Sequence, residues 1–81
     1  VRVHVRYFAD AREAARQDAE ELDLGEGASV REAIATLLER HPALREIASR
    51  SRVAVDERFA GPDERLRAGA TLALIPPVGG G

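Results

Sequence analysis

From residue 2 the chain alternates Arg2, Val3, His4, Val5, Arg6, Tyr7. That period of two predicts a strand with Val3, Val5 and Tyr7 on its buried face. Asp10-Ala11-Arg12-Glu13 pairs a capping type of residue with Glu three places on, which predicts a short alanine-rich helix from Asp10 to about Gln17. Ala19 to Leu24 reads as a weak strand with Leu22 and Leu24 on one side, closed by the turn residues Gly25-Glu26-Gly27. The sharpest local signal is Ser29-Val30-Arg31-Glu32, a capping box in which the Ser oxygen serves a free amide of the first turn and Glu32 reaches back to the Ser amide. Behind it Val30, Ala33, Ile34, Leu37 and Leu38 form one apolar stripe that ends at His41-Pro42. Leu44 and Ile47 support a further turn of helix within Ala43 to Ser49, and Arg52-Val53-Ala54-Val55-Asp56 returns to alternation. Gly61-Pro62-Asp63 and Leu66-Arg67-Ala68-Gly69 read as turns, and Ala70 to Ile75 as a last apolar strand stopped by Pro76-Pro77.

The order is strand, strand, helix, strand, strand, with the longest helix between two strand pairs. Its apolar stripe needs a sheet to cover, so the expected class is α+β, a mixed sheet with one main helix across one face. Two residues fall out of this pattern. Phe8 continues the phase of Arg2, His4 and Arg6, and Ile75 that of Ala73, so both point away from the core. Apolar side chains on a solvent face suggest a partner; alternatively, strands that bend at their ends use them to cover the core's edge.

A chain of 81 residues makes one domain with a modest core and no deep cavity of its own. Fourteen acidic and twelve basic residues are interspersed to a net charge of −2, which disfavours nucleic acid and anionic membrane as partners. No apolar run approaches the roughly 20 residues that span a bilayer, and the expected location is the cytoplasm. The chain has no cysteine, hence no thiolate of its own for sulfur chemistry. His4 and His41 stand in unrelated contexts without carboxylates at ligand spacing, so no metal site is expected. Every one of the twelve basic residues is arginine, which removes all ε-amines as acceptors for self-conjugation.

The candidate chemistry lies at the end, Ile75-Pro76-Pro77-Val78-Gly79-Gly80-Gly81. Residues 1–75 are expected to form the domain and 76–81 a reactive tail. The diproline holds an extended exit, and six residues at roughly 3.3 Å each reach about 20 Å, far enough to enter another protein's site. Glycines thread a narrow channel and leave the carbonyl of Gly81 open to attack. A carboxylate is a poor acyl donor, but adenylation by ATP makes it one, and a sulfur nucleophile then yields a thiocarboxylate that carries a nucleophilic sulfur. A frayed glycine-rich end is the competing reading, weakened by the tail's direct junction with a core strand.

Val5-Arg6-Tyr7-Phe8-Ala9-Asp10-Ala11-Arg12-Glu13, the helix start Ser29-Val30-Arg31-Glu32 and the stretch from Leu66 to Gly81 together resemble the small subunits of molybdopterin synthase, the MoaD-type branch of the MoaD/ThiS sulfur carriers. The resemblance spans nearly the whole chain and rests most on Pro76-Pro77-Val78 before the terminal glycines. It implies a ubiquitin-like β-grasp fold and no bound cofactor, ATP being consumed by a MoeB-type, ubiquitin-activating-like adenylyltransferase. Gly81, with Gly80, would carry the adenylate and then the thiocarboxylate. Phe8, Phe59 and Ile75 would form an apolar docking surface, and Pro76, Pro77, Val78 and Gly79 would follow the glycines into a MoaE-type large subunit. There sulfur would pass to cyclic pyranopterin monophosphate, the large subunit supplying the catalytic basic residues. Two positions depart from the family: Asp56 stands where Asn is usual, and Gly79 adds a third glycine. Other readings stay open, namely a carrier for thiamine, tRNA thiolation or cysteine synthesis, a ubiquitin-like modifier of proteins, and a non-covalent β-grasp interaction module.

Overall fold

A computed structural model describes residues 1–77. Among them the elements run β1 (Arg2–Tyr7), α1 (Ala9–Ala15), β2 (Ala19–Asp23), α2 (Val30–Arg40), α3 (Leu44–Arg50), β3 (Arg52–Val55), β4 (Arg58–Phe59) and β5 (Thr71–Ile75). One sheet has the order β2-β1-β5-β3-β4. Its central pair, β1 and β5, is parallel, and the remaining neighbours are antiparallel. The first and last strands thus lie side by side in the middle, a mixed sheet with helices on one face, the β-grasp architecture.

The alternation of β1 does what its period implies: Val3, Val5 and Tyr7 are buried while Arg2, His4 and Arg6 are exposed. Leu72 and Leu74 of β5 join them, and Leu22, Val30, Ala33, Leu37 and Leu44 close the core from β2, α2 and α3. Each fully buried leucine contributes about 1.5–3 kcal/mol from area removed from water. Ile34, Leu38 and Ile47 sit partly buried at the margin of this cluster.

The capping box at Ser29 is complete. Ser29 Oγ accepts from the Glu32 amide at 3.2 Å, and Glu32 Oε1 accepts from the Ser29 amide at 3.0 Å. Hydrogen bonds from the Ser29 amide and hydroxyl hold the Glu32 carboxyl below its ordinary pKa.

The first helix departs from expectation. It begins at Ala9, not with Asp10 as cap, because the Phe8 carbonyl accepts from the Ala11 and Arg12 amides at 2.9 and 3.3 Å and closes the first turn earlier. Asp10 stands inside that turn, where its charge favours the helix N-terminus without capping it. The helix stops at Ala15, short of Gln17, because Arg16 takes a left-handed conformation with φ 63° and returns its amide to the Arg12 carbonyl at 2.8 Å. The two-residue strand β4 is a further addition. It is the return arm of a hairpin whose turn residues Asp56 and Glu57 have φ of 49° and 70°, both positive as a type I′ turn requires.

Beneath the C-terminal end of α2 a polar group is built into the packing. Glu20 Oε2 accepts from the Tyr7 hydroxyl and lies 2.6 Å from His41 Nε2, and Glu20 Oε1 accepts from Arg40 at 2.8 Å. The Glu20 side chain is only 12% exposed. Burial pushes its pKa up, but the hydrogen bonds from Tyr7, His41 and Arg40 outweigh this and hold it below the ordinary range. Burial, then the Glu20 carboxylate, pushes the Tyr7 hydroxyl well up. The cluster ties β1, β2 and the end of α2 together one residue before Phe8.

Candidate functional site

The helix-free face of the sheet is arranged in rows set by strand register. Arg6 pairs with Ala73, Ala73 with Ala54, and Ala54 with Phe59, so a cation, two small residues and an aromatic ring cross β1, β5, β3 and β4 in line. Two residues further along β5, Ile75 lies opposite Arg52, and Phe8 follows the end of β1 next to Tyr7, the partner of Leu74. The alanines form a low floor between the larger side chains. The result is a shallow depression of about 650 Å³ lined by Arg6, Phe8, Ala54, Phe59, Ala73 and Ile75, with Thr71, Asp56 and Glu57 at its far end.

Phe59 is 59% exposed and Phe8 39%, and these are the large hydrophobic side chains that stand out in solvent among the described residues. Ile75 is partly buried. All three residues of the expected apolar surface therefore lie on one face, and that face borders the point where β5 ends. Pro76 is buried and Pro77 exposed. Proline has no amide hydrogen, so the ladder stops there and the chain leaves the sheet beside Arg52. Val78, Gly79, Gly80 and Gly81 lie outside the described residues.

Asp56 has a definite local task. Its Oδ1 accepts from the Thr71 amide at 2.9 Å, and its own amide donates to the Thr71 carbonyl at 2.9 Å. An acceptor oxygen is all this geometry asks of the side chain, and Asp supplies it as Asn would.

Sequence reasoning passed over the cations of this face. Arg6 lies over the Phe8 ring at 5.3 Å from its centroid, and Arg52 over the Phe59 ring at 3.7 Å. The signal for Arg6 was available, since it shares the phase of Phe8. Arg52 becomes a neighbour of Phe59 only through β4. Among the described residues no group of His, Cys, Asp and Glu is placed to hold a metal ion, and no helix is long and apolar enough to cross a membrane. The face thus offers apolar rings and arginine side chains, and it borders the point where Pro76-Pro77 leaves the sheet.

Comparison with known proteins decides the family, because the model of the ThiS family matches residues 5–81. The chain belongs to the ThiS family. A molybdopterin synthase sulfur carrier subunit from Chlamydomonas reinhardtii is 31% identical, with all of both chains covered. Among solved structures, a putative molybdopterin converting factor subunit 1 from Pyrococcus furiosus is 36% identical with TM-score 0.89, covering 96% of this chain and 99% of that one. The small archaeal modifier protein 1 of Haloferax volcanii is 30% identical with TM-score 0.92 and both chains fully covered. Within this ThiS family the described face and the Pro76-Pro77 exit are the parts of the present chain to which a function has to be fitted.

Proposed function

We propose that this chain is the sulfur carrier subunit of a molybdopterin synthase, with Gly81 as its reactive end. The observation that carries the reading is the apolar strip of Phe8, Ile75 and Phe59 on the sheet face beside which the chain passes from β5 into Pro76-Pro77. A docked partner seated on this strip receives the tail directly, and Pro77, already exposed, sets its direction. The Chlamydomonas and Pyrococcus relatives, matched over 99–100% of their length, support molybdopterin as the pathway.

In this reading the Gly81 carboxylate attacks the α-phosphorus of ATP on a MoeB-type adenylyltransferase, releasing pyrophosphate and forming an acyl-adenylate. A sulfur nucleophile displaces AMP, and the sulfur left on Gly81 is a thiocarboxylate. On the MoaE-type large subunit that sulfur is donated to cyclic pyranopterin monophosphate, and water returns the end to a carboxylate. Gly80 and Gly79 have no side chains to obstruct the channel, while Val78, Pro77 and Pro76 connect it to the docked domain. The chain itself holds no cofactor, and these reactions take place in the cytoplasm.

The test is intact mass after incubation with ATP, a sulfur donor and the adenylyltransferase. Replacement of one oxygen by sulfur adds about 16 Da, and the product should then support molybdopterin formation with the large subunit. An unchanged mass with a demonstrably active adenylyltransferase refutes the carrier reading. The likeness to an archaeal modifier protein at 30% identity over the whole chain favours a second reading, attachment of Gly81 to lysines of other proteins. Higher-mass conjugates lost on removal of Gly80-Gly81 would support it, and with no lysine in the carrier they would contain no lysine-linked chains of it.

A further inference from the structure

On the docking face the basic side chains divide into two kinds. Arg2 Nε lies 3.0 Å from Asp23 and 3.9 Å from Glu21, and His4 Nδ1 lies 3.7 Å from Glu21. Among the described residues Arg6 and Arg52 have no carboxylate within the 4.0 Å of an ion pair. Each guanidinium is instead laid over an aromatic ring, Arg6 on Phe8 and Arg52 on Phe59. A ring face attracts a guanidinium without neutralising it, and both arginines are exposed.

Register fixes where this charge lies. Arg6 flanks β5 at Ala73 and Arg52 flanks it at Ile75, on opposite sides of the strand that leads to the tail. The acidic groups are at the other end, Asp56 against Thr71 and Glu21 opposite His4. The face is thus polarised along its strands, cationic where the chain leaves and acidic where it does not.

We propose that Arg6 and Arg52 are the specificity-determining pair of the docking face, and that the protein they select presents a carboxylate to each of them on the rim of an apolar socket. The inference rests on the docking reading above and adds the partner's charge pattern to it. One small anion does not satisfy both groups, because β1 and β3 are two strand spacings apart, roughly 9.5 Å, and each guanidinium is held on its own ring. A polyanion is opposed by Asp56 and Glu21 on the same face and by the net charge of −2. Separate carboxylates on a protein surface meet both groups without moving them, so little side-chain freedom is lost on docking. A protein with lysine or arginine at the same rim is rejected by like charge.

The test titrates the full chain into the purified large subunit from the same genome by calorimetry, at about 50 mM and about 300 mM salt. Arg6→Gln, Arg52→Gln, the double variant and Phe59→Asp are compared, each checked for an unchanged melting temperature. The single glutamine variants should weaken binding about tenfold each, in the range of buried interfacial charge pairs. The double variant should lose most of the salt dependence, and Arg52→Lys should keep it. A double variant with wild-type affinity and salt dependence, while Phe59→Asp no longer binds, overturns the arginine proposal and leaves the docking face standing. Wild-type binding by all variants, Phe59→Asp included, or no binding by the unaltered chain, overturns both.

Discussion

Glu20 is the residue whose loss the structure prices most fully. Its carboxylate accepts from four side chains: the Tyr7 hydroxyl on β1, the Gln17 amide before β2 at 3.3 Å, His41 after α2, and Arg40 in the last turn of α2. In Glu20→Ala the Tyr7 hydroxyl, on a residue 2% exposed, loses its acceptor, which costs about 1–3 kcal/mol for an unsatisfied buried group. His41, with its side chain 20% exposed, loses a charge-assisted partner at 2.6 Å, worth about 1 kcal/mol after partial resolvation. The Arg40 side chain is 45% exposed and contributes only about 0–1 kcal/mol. The sum is about 2–5 kcal/mol, or a fall of roughly 8–40 °C in Tm for a domain of this size. Glu20→Gln keeps an acceptor for Tyr7 and should cost about half as much. The pH dependence provides a sharper check. The folded pKa of Glu20 is depressed, so its stabilisation is fully present above the unfolded value of about 4.3 and is lost as pH falls through the folded pKa. The difference between wild type and Glu20→Gln, measured by urea unfolding, should therefore shrink as pH falls below about 4. A difference under about 0.5 kcal/mol at pH 7, or one that stays flat into acid, would refute the reasoning.

Ser29→Ala removes the acceptor of the Glu32 amide and half of the capping box, and should cost about 1 kcal/mol in chemical denaturation without changing the docking face. Glu57→Gly should stabilise: a left-handed residue with φ 70° costs about 1–2 kcal/mol without glycine, glycine returns about 0.5–1 kcal/mol of that in backbone entropy, and a net rise of a few degrees in Tm is expected. A fall in Tm would show that Glu57 makes a compensating contact. Deleting Gly80-Gly81 should abolish thiocarboxylate formation in the mass assay and leave Tm unchanged, because β5 ends at Ile75; full activity of the truncated chain would sink the assignment of the reactive end.

The strands and the main helix were legible because their signals are local and agree with one another. Val3, Val5 and Tyr7 alternate with charge, and Ser29 with Glu32 marks a helix start that the apolar stripe then continues. What escaped was decided by residues distant in sequence or by single dihedral angles. Nothing in Asp10-Ala11-Arg12-Glu13 announces that the Phe8 carbonyl closes the turn first, and a two-residue strand such as β4 is too short to show a period. The Glu20 cluster joins positions 7, 17, 20, 40 and 41, and its long-range members carry no sequence pattern. Phe8 and Ile75 were visible on the wrong face for a core, and the resemblance supplied Phe59, but the cations between them needed the sheet order.

That order explains why a domain this small can serve as a carrier. The tail strand β5 is bonded on both sides, to β1 and to β3, so pulling on the chain end loads the centre of the sheet and not an edge. The residues of β5 alternate between two tasks at once: Leu72 and Leu74 are buried in the core, while Ala73 and Ile75 face the depression. In the proposed docking, a partner that grips Ile75, Phe8 and Phe59 therefore holds a doubly bonded part of the sheet one step from the diproline. Placing the contact surface on any other strand would leave a hinge between grip and tail.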